Sequence, residues 1–171
     1  MNPPRPHLLW IARFDYRGGL RVVEHTHTFH QCLLVLRGEA HVRLDGADFR
    51  VKPSDLLWLP PGTRHGWSVD PDQFLETLDM KFSLAAPERI PKLPPGAGVL
   101  PARKDLEAVF RALFATARSG PEQRHQRCAL ILEAFLLQLT CPPAAAEGSW
   151  ETSPAETEAA GLVQVLEQQF A

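Results

Sequence analysis

Short runs of alternating apolar and polar residues fill the first half of the chain and predict β-strands. The run 39–44 alternates strictly, with its even-numbered positions apolar. Asp45-Gly46 follows it and is a strong hairpin signal. The run 56–59 is continuously apolar, which predicts a strand buried on both sides. About eight such strands before residue 85, separated by turn residues, are typical of a sandwich or barrel.

After residue 102 the apolar period becomes helical. Apolar residues recur on one face at Leu106, Val109, Phe110, Leu113, Phe114 and Ala117. Ser119 to Glu122 has the spacing of a capping box, which predicts a second helix over 121–140. Because the stretch 128–139 is apolar almost all round, we expect the barrel on one side and a second copy of the chain on the other. Coverage by the first helix alone is the alternative.

These patterns divide the chain into five segments. We predict a β-barrel with an N-terminal arm at 1–84, a Pro/Gly-rich connection at 85–102, a helical hairpin at 103–140, a linker at 141–160 and a short amphipathic helix at 161–171. A linker followed by one isolated helix leads us to expect that the sequence was cut inside or before a second domain.

Composition narrows the function classes. The chain has 171 residues, of which 44% are hydrophobic and 22% charged, as in an ordinary globular domain. A net charge of −2 argues against nucleic-acid binding through a basic surface of this segment. With no apolar run of spanning length and no signal-peptide layout, we expect no membrane contact and a cytoplasmic location. Three scattered cysteines fit reduced thiols.

Two polar clusters bracket the central strands. The first contains His25, His27 and Gln31, which face the same way if the segment stays extended. The second, Pro60-x-Gly62-x-x-His65, contains a turn that can bring His65 alongside them. Three imidazoles and an amide oxygen are plausible ligands for Zn²⁺, Fe²⁺, Ni²⁺ or Mn²⁺. Gln31 is equally suited to hydrogen-bond an organic molecule in a metal-free pocket, so both alternatives stay open.

Other candidates are assigned by strand parity. His30 has the opposite parity to His27 and is predicted outside, and His41 lies on a polar strand face. Trp67 shares parity with His65 and is a better pocket candidate than Trp58. We find no Ser/His/Asp arrangement, phosphate-binding loop or paired-carboxylate site, and therefore assign no catalytic residue.

The two clusters resemble the two cupin motifs, with Gln31 where many cupin enzymes carry Glu. The whole layout is similar to the N-terminal effector-binding and dimerisation domain of AraC-family transcription regulators. This resemblance implies a cupin-like jelly-roll barrel followed by two antiparallel α-helices. It also implies an arm at 1–7 over the pocket and a homodimer through helix 121–140. It further implies a set of ligand-binding residues: Gln31, Arg37, His65, Trp67, Thr77 and Asp79.

The function expected from this resemblance is that of a ligand sensor. A small polar effector, such as a sugar, would bind in the barrel and control linked helix-turn-helix domains, which alone would contact DNA. The first alternative is a free-standing metal-dependent cupin enzyme, a dioxygenase or isomerase. The second is a structural dimerisation module whose barrel is filled with apolar side chains.

Overall fold

The computed structural model describes residues 5–84, 93–94, 96–100, 103–121 and 123–140. These residues form nine strands and two helices in chain order: β1 His7–Arg17, β2 Arg21–His25, β3 His30–Gly38, β4 Ala40–Leu44, β5 Ala47–Val51, β6 Leu56–Leu59, β7 His65–Ser68, β8 Phe74–Ser83, β9 Gly98–Leu100, α1 Lys104–Ala117 and α2 Arg124–Thr140. The predicted mainly β architecture with two following helices is confirmed. The segments 1–4, 141–160 and 161–171 lie outside the described residues.

Two antiparallel sheets face each other in the manner of a jelly roll. The five-stranded sheet has the order β1-β8-β3-β6-β9, and the four-stranded sheet has the order β2-β7-β4-β5. β9 lies inside the stretch that was predicted to be only a connection, and it pairs with β6. Its three residues, Gly-Val-Leu, are too short a run to stand out from the Pro/Gly-rich sequence around them.

The turns follow local sequence rules at the positions where the backbone needs them. Asp45 and Gly46 both have positive φ, 47° and 86°, which is the backbone of a two-residue hairpin between β4 and β5. At Gly38, φ is 77°, and a Cβ atom would lie 1.9 Å from the carbonyl oxygen of Phe74. Only glycine can end β3 at this contact.

Strands β8, β3 and β6 of the five-stranded sheet are buried on both faces. The inner face of this sheet joins the four-stranded sheet in one apolar cluster that includes Leu33, Val35 and Leu75. Its outer face carries residues of the opposite parity, which pack on the helices in a second cluster: Cys32, Leu34, Leu56, Trp58, Leu78, Met80, Phe82, Leu106, Phe110, Leu113, Cys128, Leu132, Phe135, Leu136 and Leu139. The continuous apolar run at 56–59 is therefore explained, because β6 lies between two cores.

The helices agree with the periodicity, with two local differences. α1 buries Leu106, Phe110 and Leu113 as predicted. α2 begins at Arg124 rather than at residue 121, and the Ser119 hydroxyl donates to the carbonyl oxygen of Thr116 at 2.7 Å. Ser119 therefore ends the first helix instead of capping the second. Glu122, the other half of the expected capping box, lies outside the described residues.

Candidate functional site at the inner face

Three histidines meet where the two sheets face each other. In the pairing of β2 with β7, His25 lies opposite His65. Their ring centroids are 4.4 Å apart, and the ring of His27 lies 4.8 Å from that of His65 and 6.2 Å from that of His25. The segment 25–31 does not stay extended as expected. His25 ends a strand of one sheet, Gln31 lies in a strand of the other, and His27 lies in the bend between them.

Backbone carbonyl groups fix which ring nitrogen is protonated in His25 and in His65. Nδ1–H of His65 donates to the carbonyl oxygen of Thr63, and Nδ1–H of His25 donates to that of Val23, both at 3.0 Å. The Nε2 atoms therefore carry lone pairs. His65 is fully buried, and its Nε2 has no hydrogen-bond partner among the described residues. Burial lowers the pKa of His65, which keeps this imidazole neutral at pH 7.

Hydrogen bonds between three side chains link the bend after β2 to strands β3 and β8. Nε2–H of His27 donates to Oε1 of Gln31 at 2.8 Å, and the Gln31 amide nitrogen donates to both oxygens of Asp79 at 2.9 and 2.8 Å. This amide orientation is required, since the reverse would set the amide oxygen against a carboxylate. Burial raises the pKa of Asp79 to about 6, against the opposing effects of Gln31 and Lys81. Nδ1 of His27 has no partner in the described structure.

The chemistry of these donors suits a divalent metal better than their present arrangement does. Imidazole nitrogen and amide oxygen are acceptable ligands for zinc, nickel, iron or manganese. Within the described ranges, however, no three or more His, Cys, Asp or Glu side chains form a group that could hold a metal ion. Nε2 of His27 is engaged by Gln31, and its free Nδ1 is the other ring nitrogen. The rings are close enough for a shared ion, but the donor atoms are not arranged around one.

The structure brings most of the predicted ligand-binding residues to this face. Trp67 stacks on His65 at 6.3 Å with an interplanar angle of 16°, and its indole N–H has no partner among the described residues. Thr77 and Asp79 are buried on β8, and their parity is that of the inner-facing Leu75. Together with Gln31 and His65 they make a polar region at one end of an otherwise apolar inter-sheet core. The core is therefore not filled by apolar side chains alone.

Arg37 is the exception among the predicted ligand-binding residues. A register shift between Val35 and Arg37 interrupts the pairing of β3 with β8 near the end of the strand. Arg37 is exposed, and its guanidinium carbon lies 5.5 Å from the ring centroid of Phe74. Arg37 is six positions from Gln31 along the strand, which corresponds to roughly 20 Å. The structure thus leaves Arg37 outside the polar region, because the irregular strand end directs it to the rim.

The remaining candidates divide between the core and the surface. His30 was predicted outside, but it is half-buried and stacks on Phe82 at 5.1 Å, with Trp58 5.5 Å away. Burial lowers the pKa of His30. Its opposite parity points it to the helix-facing core rather than to solvent. His41 is exposed as predicted, 3.3 Å from a carboxylate oxygen of Asp70.

Sequence reasoning missed an aromatic row on β1. Trp10, Phe14 and Tyr16 lie on one face of the strand, with centroids 5.2 and 5.7 Å apart, and Tyr16 meets Trp67 edge-on at 5.7 Å. Burial, together with the charge of Asp79, raises the pKa of Tyr16 to about 12. The even spacing of these three aromatics in WIARFDY was the available signal, because residues two and four apart share a strand face.

Two facing sheets with a polar region at one end of their shared core define a cupin-type jelly roll with a candidate ligand site. The chain belongs to the family of AraC-like ligand binding domains, whose family model matches residues 12–140. The match covers both helices and all of the strands except the first five residues of β1. In the part of the chain that is described, no helix has the length and apolar character needed to cross a membrane.

Individual relatives match smaller parts of the chain. An (R)-mandelonitrile lyase from Granulicella tundricola is 29% identical over 82 residues, which are 47% of this chain and 63% of that protein. The chain therefore matches less than two thirds of this relative's length. A solved cupin protein from Bacteroides fragilis is 18% identical, with coverages of 44% and 66% and a TM-score of 0.42. An RmlC-like cupin from Shewanella frigidimarina is 26% identical, with coverages of 48% and 72% and a TM-score of 0.41.

Proposed function

We propose that this chain is the effector-sensing and dimerisation part of a cytoplasmic AraC-type transcription regulator. Membership of the AraC-like ligand binding domain family supports a small-molecule effector. The observation that carries the proposal is the inner-face polar region, in which His27, His65 and Trp67 each have a buried polar atom without a partner among the described residues. Unpaired buried polar atoms are costly unless a ligand or water satisfies them.

The five-stranded sheet offers a route from such a ligand to the helices. On β8, Thr77 and Asp79 face the polar region, whereas Leu78 and Met80 face the helices. An effector that binds one arrangement of this strand more tightly than another would shift how α1 and α2 pack. Such a shift requires differential affinity for the two states. The helices would pass it to linked helix-turn-helix domains, which would be the part that contacts DNA.

Isothermal titration of the 171-residue chain tests the sensing role. The panel contains L-arabinose, D-glucose, a polyol and single-ring aromatic acids, because the notion of a small polar effector covers all of these. We expect saturable binding of at least one compound, weakened about tenfold or more by His27→Ala. The matched control is His41→Ala, a histidine on an exposed strand face. Binding that His27→Ala leaves unchanged for every compound would contradict the proposal.

We also propose that α2 forms an antiparallel helix pair with its copy in a homodimer. Leu130 and Leu137 are 45% and 48% exposed, and a spacing of seven residues puts both on one side of α2. This supports the expectation that a second chain covers the helix. The buried residues of α2 already pack inside the monomer and do not need such a partner.

A metal-dependent cupin enzyme is the second candidate. Three imidazole rings within 6.2 Å of each other and the similarity to a lyase favour it. Elemental analysis of the purified wild type, of His27→Ala and of His41→Ala distinguishes the two candidates. Stoichiometric metal that is lost only in His27→Ala would favour the enzyme and justify assays for lyase, dioxygenase and isomerase activity. Effector binding that persists in the presence of a chelator would favour the metal-free sensor.

A further inference from the structure

The aromatic row of β1 forms one half of a closed circle of side-chain contacts. Trp10, Phe14 and Tyr16 follow each other along the strand, and Tyr16 passes the contact to Trp67 of the opposite sheet. Phe14 and Tyr16 are only half-buried, and Trp10 is 37% exposed. Large aromatic surfaces on an inner sheet face normally pack fully against the other sheet. Their partial exposure indicates that the two sheets do not close over this region.

The other half of this circle of contacts consists of the histidines and their aromatic neighbours. Trp67 stacks on His65, His65 contacts His27, and His27 stacks on Phe29 at 4.0 Å and 9°. The ammonium of Lys81 closes the circle, 5.6 Å from the ring centroid of Phe29 and 4.9 Å from that of Trp10. Aromatic rings from both sheets therefore border this region, a lining that suits a planar ring.

The unpaired polar atoms of these side chains are too few to satisfy the hydroxyl groups of a sugar. Each oxygen of Asp79 already accepts a hydrogen bond from the Gln31 amide. At this face, the buried atoms without a partner among the described residues are Nδ1 of His27 and Nε2 of His65, which accept, the indole N–H of Trp67, which donates, and the Thr77 hydroxyl, which does both. Each sugar hydroxyl is a donor and an acceptor, so a monosaccharide with four or five hydroxyls would bury several of them unpaired. A ligand with one or two polar groups on an apolar ring matches this inventory better.

Lys81 supplies the charge preference. Its ammonium contacts the Trp10 and Phe29 rings and forms no ion pair within 4.0 Å among the described residues. The nearest carboxylate along the strand, Asp79, is already held by Gln31. Lys81 is half-buried, and an ammonium that water reaches on fewer sides attracts an anion more strongly.

We propose that the effector is a single-ring aromatic carboxylate, whose ring lies among the aromatic side chains and whose carboxylate meets Lys81. This inference rests on the proposed sensing function and specifies its ligand class. A ring hydroxyl opposite the carboxylate would donate to a free imidazole nitrogen of His27 or His65. Lys81 is then a specificity-determining residue, and Trp10 and Phe29 hold it in place.

The test compares isosteric probes by isothermal titration against the full chain. Benzoate, 4-hydroxybenzoate, salicylate and phenylacetate are the aromatic anions; cyclohexanecarboxylate lacks the aromatic ring, and benzyl alcohol lacks the charge. We expect at least one aromatic anion to bind about tenfold or more tightly than both isosteres. Lys81→Met should abolish the advantage over benzyl alcohol, while Lys52→Met, an exposed lysine, should retain it. Circular dichroism confirms that each variant is folded.

Different results would contradict the aromatic ligand class and the sensing function. Binding of L-arabinose or D-glucose that depends on His27 would overturn the aromatic ligand class and leave the sensing function standing. Cyclohexanecarboxylate binding as tightly as benzoate, or an anion preference that survives Lys81→Met, would also overturn it. No binding of any aromatic anion at millimolar concentration overturns the inference in the same way. The sensing function fails only if no compound in the whole panel shows binding that depends on His27.

Discussion

At the scale of single residues, the chemistry of the site centres on a carboxyl group that the fold keeps almost dry. Asp79 is 3% exposed, and burial raises its pKa from 3.8 to about 6 despite two hydrogen bonds from the Gln31 amide nitrogen and the nearby charge of Lys81. That difference corresponds to roughly 3 kcal/mol. A fold does not gain stability from this arrangement, which is typical of functional positions.

Asp79 should make the unfolding free energy depend on pH. Because the folded pKa lies above the unfolded one, the folded state keeps a proton that the unfolded chain loses between pH 3.8 and about 6. Raising the pH through this window therefore lowers stability, and the loss is complete above pH 6. Relative to Asp79→Asn, wild type should lose up to about 3 kcal/mol between pH 4 and 7 in urea titrations with a chelator present. Asp48→Asn, at an exposed carboxylate, should track wild type.

Replacing Gln31 should expose the dependence of Asp79 on its donors. Gln31→Leu removes both hydrogen bonds to the carboxylate and the acceptor for His27. We expect a loss of about 1–3 kcal/mol at pH 8 and a smaller loss at pH 5, where Asp79 is protonated. Chemical denaturation at the two pH values measures this difference. Gln126→Leu, at an exposed position of α2, is the control, and a loss of equal size at both pH values would contradict the expectation.

The residues of the site were partly readable from the sequence. The spacing of the histidines and Gln31 led to their grouping, strand parity added Trp67, and the family resemblance added Thr77 and Asp79. The hydrogen-bond chain from His27 to Asp79 could not be predicted, because its second link joins Gln31 to Asp79, 48 positions apart, through an amide orientation set by the fold. The exposed position of Arg37 could not be predicted, because a strand irregularity does not appear in the alternation of the sequence.

At the scale of elements, strands β3 and β8 connect the two apolar cores of the protein. Each buries alternate residues in the inter-sheet core and in the helix-facing core. Local patterns predicted the hairpin at Asp45-Gly46 and the apolar face of α1, because both are fixed by neighbours in sequence. The split of 25–31 between two sheets and the pairing of β9 were not predictable, because they depend on partners distant in sequence.

The exposed side of α2 should control association and the buried side should control folding. Leu130→Glu with Leu137→Glu puts charges at two exposed positions, so it should convert a dimer into a folded monomer in sedimentation velocity. Leu136 is fully buried in the helix-facing core, so Leu136→Glu should abolish the cooperative unfolding transition instead. A wild-type chain that stays monomeric at high concentration would refute the dimer, whatever the variants do.

At the scale of the whole molecule, the helical hairpin and the five-stranded sheet share one core. Phe110 of α1 and Phe135 of α2 meet edge-on at 5.6 Å within the cluster that also holds Met80 and Phe82 of β8. The helices are therefore part of the folding unit rather than an appended module. This sharing is also what would let an event at the inner face of β8 reach the helices without a hinge between separate domains.

Removing the helices should consequently unfold the sheets. A chain ending at Leu100 would expose the seven apolar residues of the five-stranded sheet in the helix-facing core. At about 1.5–3 kcal/mol for each large side chain, the loss is roughly 10–20 kcal/mol, which matches or exceeds the stability of a typical domain. A chain ending at Thr140 keeps both apolar clusters and is the control for truncation itself. Thermal unfolding followed by circular dichroism should show a cooperative transition for the longer chain and none for the shorter. A folded, ligand-binding chain ending at Leu100 would show that the jelly roll is stable alone and that the helices are only docked on it.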